Sequence, residues 1–339
     1  MNRIALIVGA TGGIGGEAAR ALLARGWHVR ALHRNAARAA QEFAALGPIE
    51  WLQGNALNAS EVRSAAAGAQ VVVHAANPPG YRNWKGLALP MLESSIAAAQ
   101  AAGARLVLPG TVYNFGPDAL PLVGEAALQR PKTRKGAIRV AMEDRLKQAA
   151  QSGLRVLILR AGDFFGPHAQ NSWFSQGLVK PGRPLRSVTY PGRHDVGHCW
   201  AYLPDVAAAL VQLLDREPEL EAFAVFHFGG HWFERGVALA EATRSAARVP
   251  RAPIRRFPWF AIYLLAPFVE TFREMLEMRY LWTTSLQLDN RKLVAFLGRE
   301  PHTPLETALR QTLDGLACLD QNASKTKPTY LKSLRGLLL

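Results

Sequence analysis

The sequence predicts an α/β fold, a doubly wound parallel sheet with a smaller, mostly helical lobe toward the C-terminus. Three observations predict it. Short runs rich in Val, Ile and Leu recur without polar alternation, as strands covered on both faces do. Ala-rich stretches long enough for helices separate them, which implies right-handed crossovers between parallel strands. The first apolar run leads straight into a glycine-rich turn and then a helix.

Strands are expected at 4–8, 28–32, 71–74, 105–108 and 155–159, and helices at 15–25, 36–45, 87–102 and 138–151. A later strand at 224–228 would follow a helix over 205–214. After residue 165 the pattern changes. Residues 168–200 are rich in Gly, Pro and aromatics and read as irregular, 250–282 is apolar and aromatic and reads as helical, and Thr303-Pro304 opens an amphipathic helix over 305–316. This divides the chain into a sheet domain, 1–165, with a return segment at 204–228. A substrate lobe follows at 166–203 and 229–319, and then a polar-to-basic tail, 320–339. No internal repeat is present.

Of the 339 residues, 49% are hydrophobic and 19% charged, a globular composition. The formal charge of +14 suits anionic ligands. Its arginines are scattered through Ala-rich helices rather than gathered in a stripe, which argues against nucleic acid. Cys199 and Cys318 stand far apart, without metal-ligand spacing, and suit a reducing compartment. No signal-peptide pattern is visible. The longest apolar stretch, 257–269, falls short of the ~20 residues a transmembrane helix needs. Pro258 and Pro267 interrupt it, so it reads as a buried or interfacial helix. A cytoplasmic protein without a transmembrane segment is expected. Peripheral membrane contact through Arg255-Arg256, the following helix and the tail stays open, as does a homodimer.

The glycine turn carries the most specific signal. Gly9-Ala10-Thr11-Gly12-Gly13-Ile14-Gly15 sits between a strand and a helix. There one glycine allows a tight turn, another admits a pyrophosphate to the backbone and a third lets the helix pack closely, as in a Rossmann dinucleotide site. The phosphates would meet free N–H groups at the helix's positive end. The second strand ends His33-Arg34-Asn35, with Arg38 a turn later and no acid where NAD-binding domains hold the ribose hydroxyls. Arg34 and Arg38 suit a 2′-phosphate, so NADP(H) is expected over NAD(H).

The chain resembles the short-chain dehydrogenase/reductase superfamily in its extended, epimerase/dehydratase-like branch, from residue 3 to about 317. Gly9 to Gly15 resembles that branch's GxxGxxG loop. Gly54-Asn55-Ala56-Leu57 is similar to its adenine-contacting Gly-Asp-Leu, and Val71 to Asn77 to the strand and loop beneath the cofactor ribose. Leu159 to Pro167 resembles its nicotinamide-side LRPxNVYGP, and Trp200 to Ala207 the segment that opens a late helix. The resemblance implies cofactor contacts at Gly9, Thr11, Gly12, Gly13, Ile14, Gly15, Asn55, Ala56, Ala75, Ala76, Asn77, Ala161, Gly162 and Phe164.

The family's catalytic pair, a Tyr and a Lys four residues apart, is missing. Aligned on Glu143, Lys135 takes the Tyr position and Arg139 the Lys position, while Pro109 stands where a hydroxyl is usual and Thr111 lies two residues on. Arg139 can bind cofactor ribose or phosphate but cannot give up a proton at neutral pH. Lys135 could act as an acid if its pKa were lowered. Tyr113, beside Thr111 after the fifth strand, and Tyr81 are further candidate proton donors. Asp163, His168, Asn171, His194, Asp195, His198 and Asp205 read as a polar substrate pocket, since none has metal-ligand or hydrolase spacing. Trp173, Phe174, Trp259, Phe260, Tyr263, Tyr280 and Trp282 would line an apolar cavity or pack the core. The expectation is an NADP(H)-dependent oxidoreductase for a small, partly apolar or nucleotide-sugar-like substrate. The alternative is a non-catalytic NADP(H) sensor.

Overall fold

The computed structural model describes residues 3–78, 83–119 and 121–320. Tyr81 and nearly all of the tail lie outside the described residues.

Strand and helix alternate through the first half: β1 (Ile4–Val8), α1 (Gly13–Ala24), β2 (His28–His33), α2 (Ala36–Glu42), β3 (Glu50–Gln53), α3 (Ala59–Ala65), β4 (Val71–His74), α4 (Trp84–Ala102) and β5 (Arg105–Thr111). After the short β6 (Leu122–Val123) come α5 (Arg134–Gln151), β7 (Arg155–Ala161), β8 (Asp163–Phe165), β9 (Val188–Tyr190), β10 (His198–Tyr202), α6 (Leu203–Asp215) and β11 (Phe223–His227). The chain ends with β12 (His231–Phe233), α7 (Ala238–Ala246), β13 (Ile254–Arg256), α8 (Trp259–Leu265), α9 (Glu270–Glu277), β14 (Gln287–Leu288), α10 (Arg291–Leu297) and α11 (Leu305–Gly315).

Seven strands form one parallel sheet in the order β11-β7-β5-β4-β1-β2-β3. Its strands bury side chains on both faces, which is why they read as continuous apolar runs. Ala5 and Ile7 point into one core with Leu157, Leu210 and Phe226. Leu6 and Val8 point into the opposite core with Leu92, Leu106 and Leu146. The strand order reverses between β1 and β4, and in open sheets of this kind the carboxyl ends of the strands at such a point form the ligand crevice.

Three expectations need correction. β3 and α3 were not foreseen, because four residues with half-buried Trp51 and Leu52 give too short a pattern. Residues 168–200 are not wholly irregular: β9 pairs with β13, and β10 pairs with β8 and β12. The stretch 250–282 is not a single helical segment. Pro253 and Pro258 frame the strand β13, and Pro267 separates α8 from α9. A third apolar core, including Phe165, Phe174, Trp200, Tyr202, Leu239, Trp282 and Leu309, holds this part of the chain together.

Candidate active site

The glycine turn is shaped by backbone crowding. Gly9 has φ 101°, and a β-carbon there would lie 2.6 Å from the Ala76 nitrogen. A β-carbon on Gly15 would lie 2.2 Å from the Gly9 carbonyl oxygen, so α1 can approach β1 this closely only without a side chain. Gly12, by contrast, is exposed, and a β-carbon there would come no nearer than 3.4 Å, to the Gly9 oxygen. No side chain caps α1 and no acid stands in its first turn, which leaves its positive end available to an anion. Gly13 faces the start of α6 and the loop after β8, with Leu203 Cδ1 and the His168 carbonyl oxygen as the nearest atoms to a β-carbon there.

Around this turn lie the ends of β2, β3 and β4. Arg34 is exposed, and among the described residues no acid pairs with it. Arg38 is paired with Glu42 at 2.8 Å. The Asn55 side chain accepts from the Leu57 N–H, while its own N–H donates to Glu61 Oε2 at 2.6 Å. Asn77 Oδ1 accepts from the Arg139 guanidinium at 3.0 Å, which ties the β4 loop to α5.

The candidate acid–base residues lie on and beside the first turns of α5. Thr133 caps the helix by accepting from the Gly136 N–H at 3.0 Å. Lys135 and Arg139, four residues apart, share one helix face. Both cations lie over the Trp84 ring, at 6.0 and 5.3 Å from its centroid. Lys135 is buried, and its Nζ lies 3.3 Å from Glu274 Oε2 on α9. Burial pushes its ammonium pKa down to about 8, against the opposing pull of Glu274. Arg134 strengthens the same contact through Glu277 at 2.6 Å and Glu274 at 3.0 Å.

Thr111 ends β5, and its hydroxyl accepts from the Tyr113 N–H at 3.4 Å within a 3-10 turn, Val112–Asn114. That turn touches α5 directly: a β-carbon on Gly136 would lie 2.2 Å from the Tyr113 carbonyl oxygen. The fold thereby brings Thr111, Tyr113 and Lys135 into one neighbourhood. Pro109 stands beyond Val107, the last β5 residue that β4 flanks.

The polar residues expected to form one pocket do not converge. His168 pairs with Glu17 at 2.6 Å, Asp195 with Arg193 at 2.7 Å, and Asp205 accepts from the Thr303 N–H and hydroxyl at 2.7 Å. Asn171 accepts from Gln176. Only Asp163 and His198 meet, at 2.8 Å and buried, because β8 and β10 are neighbours in one sheet. The His198 ring stacks on Trp282 with centroids 4.3 Å apart and an interplanar angle of 11°. The pair lines a small cavity with Val112, Gly162, Cys199, Leu281 and Leu286. The aromatic set also divides. Trp173, Phe174 and Trp282 pack in the core, whereas Phe260 and Tyr263 are exposed. Among the described residues no cluster of His, Cys, Asp or Glu could hold a metal ion.

Sequence reasoning missed a buried ion pair behind the site. Arg160 of β7 meets Glu143 of α5 at 2.5 Å. Asn114 and Gln129 donate to the same carboxylate, and Arg160 also contacts His227 at 3.0 Å. This network locks α5 to β7 and to the turn that carries Tyr113. The signal was a charged residue, Arg160, inside an otherwise apolar strand run.

A family model described as NAD(P)H-binding matches residues 9–201. The chain belongs to that family. Its sheet and helices share the fold of NAD-dependent epimerases. A UDP-glucose 4-epimerase from Bifidobacterium longum, solved with NAD+ and UDP, is 14% identical with a TM-score of 0.72, over 95% of this chain and 99% of the epimerase. A UDP-glucose 4-epimerase from Stenotrophomonas maltophila, solved with NAD and formylated UDP-arabinopyranose, is 18% identical with a TM-score of 0.72, over 93% and 98%. Among curated proteins, a 3-diazoavenalumate denitrifying reductase from a Streptomyces species is 32% identical over 177 residues. That match covers 48% of this chain and 56% of the reductase, about half of each. The residues present fit a nicotinamide dinucleotide, since Gly9 and Gly15 let the turn close against the β4 loop and the start of α1 where a β-carbon would strike backbone, and Gly12 leaves its outer side open.

Proposed function

We propose that this chain is an NADP(H)-dependent oxidoreductase acting on a small, partly apolar substrate, with Lys135 as the group that carries the proton. One observation supports the reading above the others. Lys135, which the alignment on Glu143 sets at the family's phenol position, is buried and its pKa is drawn down to about 8, close to the range in which acid–base groups work best. Arg34 supports the preference for NADP(H), since it is exposed just after the end of β2, where a cation suits a 2′-phosphate.

In this reading Gly9, Thr11, Gly12, Gly13, Ile14 and Gly15 hold the pyrophosphate, and Arg34 holds the 2′-phosphate. Asn55, Ala56, Ala75, Ala76 and Asn77 line the adenosine and ribose side, and Arg139 steadies the loop through Asn77. Ala161, Gly162 and Phe164 face the nicotinamide side. The nicotinamide, when bound, exchanges a hydride with the substrate carbon. Lys135 Nζ gives a proton to the substrate oxygen in reduction and takes it back in oxidation. Glu274 keeps the ammonium placed, and Thr111 and Tyr113 position the oxygen. Apolar walls from Val112, Leu281 and Leu286 around the Asp163–His198 pair suit a partly apolar substrate.

The test is a panel of carbonyl and enone substrates assayed by NADPH oxidation. Lys135→Met is expected to lower kcat by ~10²–10⁴-fold while NADPH affinity holds. If no member of the panel turns over while NADPH binds tightly, a sensor takes the enzyme's place. The observation on that side is the missing phenol together with the Glu274 carboxylate already held against Lys135.

A further inference from the structure

Nine large hydrophobic side chains are exposed among the described residues, and six of them fall within ten consecutive positions. They are Phe260, Tyr263, Leu264, Leu265, Phe268 and Val269, on one side of α8 and the turn that follows. Phe260 is 77% exposed and Phe268 85%. The other side of α8 is anchored: Ile262 and Ala266 are buried, and the Trp259 indole donates to the Pro191 carbonyl at 2.7 Å. The helix is therefore seated on the protein and presents an apolar face outward. Scattered apolar residues on a surface need no explanation, but a contiguous patch does.

Charge around the patch points to its occupant. Residues 260–269 carry no charged side chain. Arg251, Arg255 and Arg256 stand exposed before them and Arg273 after them, against a single exposed acid, Glu270. Arg279 lies 5.6 Å over the Trp259 ring and donates to the Tyr263 hydroxyl at 2.7 Å. An uncharged apolar face rimmed by arginines matches a lipid surface: the side chains enter the acyl boundary while the guanidiniums meet phosphate. A second copy is a poorer fit, because a two-fold contact through this patch brings Arg255, Arg256 and Arg273 of both copies toward one another. Among the described residues no helix is long and apolar enough to cross a membrane, so the contact would be peripheral.

We infer that the α8 face, Phe260 to Val269 with its arginine rim, docks this protein on an anionic lipid surface. The next helix, α9, carries Glu274 and Glu277 to Lys135 and Arg134, so the docked element is joined to the roof of the candidate site. The inference does not depend on the oxidoreductase reading, since lipid binding is measured without substrate or cofactor.

The experiment is co-sedimentation of the full chain with vesicles of phosphatidylcholine alone and of phosphatidylcholine mixed with phosphatidylglycerol. The wild type is expected to pellet with the mixed vesicles, less so as salt is raised, and weakly with phosphatidylcholine. The double variants F260D/F268D and R255E/R256E should each lower the partition coefficient by at least about tenfold. Unchanged circular dichroism and thermal melting in both would show that they fold. Equal sedimentation with and without phosphatidylglycerol, or variants that pellet like the wild type, overturns the inference. So does light scattering that finds a stable dimer which F268D splits, since the face would then belong to a second copy.

Discussion

The two sides of the crevice were built under different constraints. On the β1–α1 side the shape is made by backbone, and side chains are kept out: Gly9 and Gly15 are fixed by contacts of 2.6 and 2.2 Å that any β-carbon would violate. On the α5 side the shape is made by side chains from distant parts of the chain. Lys135 depends on Glu274, and Arg139 on Asn77. A cofactor shared by a whole family asks for a constant cradle, whereas the substrate side is free to exchange one proton carrier for another. A family can therefore keep its dinucleotide turn while, as we propose, Lys135 takes the place of its phenol.

The largest effect should come from the backbone side. Gly15→Ala places a methyl group against the Gly9 carbonyl and is expected to abolish NADPH binding, measured by fluorescence titration, and to lower stability by about 1–3 kcal/mol in a denaturant melt. Normal binding by that variant would erase the contrast between the two sides. Arg34→Ala should act more narrowly. One charge-assisted contact to a phosphate is worth about 1.5–3 kcal/mol, so NADPH affinity should fall about tenfold or more while NADH affinity stays level. Equal losses for both cofactors would remove Arg34 from the 2′-phosphate.

The smallest effect sharpens the side-chain half. Glu274 opposes the burial that lowers the Lys135 pKa, so Glu274→Gln should let that pKa fall further. In the proposed mechanism reduction needs the ammonium. Its pH limit should therefore move to lower pH in Glu274→Gln, with a smaller change in kcat on the acid side. A limit that does not move, or moves up, separates Glu274 from the lysine.

This contrast also explains what could be read from the sequence. The strands β1 and β4 and the glycine turn were legible because burial on both faces and crowding each leave a local mark. The place of Lys135 was partly legible: the alignment set it on the helix before Glu143, and α5 does begin at Arg134, four residues earlier than periodicity gives. Glu274 was not, because 139 positions separate it from Lys135 and nothing in 250–282 marks one acid as inward-facing. The Asp163–His198 contact was hidden for a similar reason: two residues on separate strands meet only once β8 and β10 are known to pair. The exposed face of α8 was read as one of two alternatives, buried or interfacial, because composition alone does not say which side of an apolar helix is covered.

The most direct test of the account is the pH dependence of kcat for NADPH-driven reduction of the best substrate in the panel, in the wild type and in Lys135→Met. With its pKa lowered to about 8, Lys135 is protonated below that value and able to donate, and it loses the proton above it. The wild-type rate should therefore be level on the acid side and fall about tenfold per unit above pH 8, while the variant is slow throughout and lacks that limb. A variant that keeps the wild-type rate and the same falling limb would contradict the assignment of the proton to Lys135.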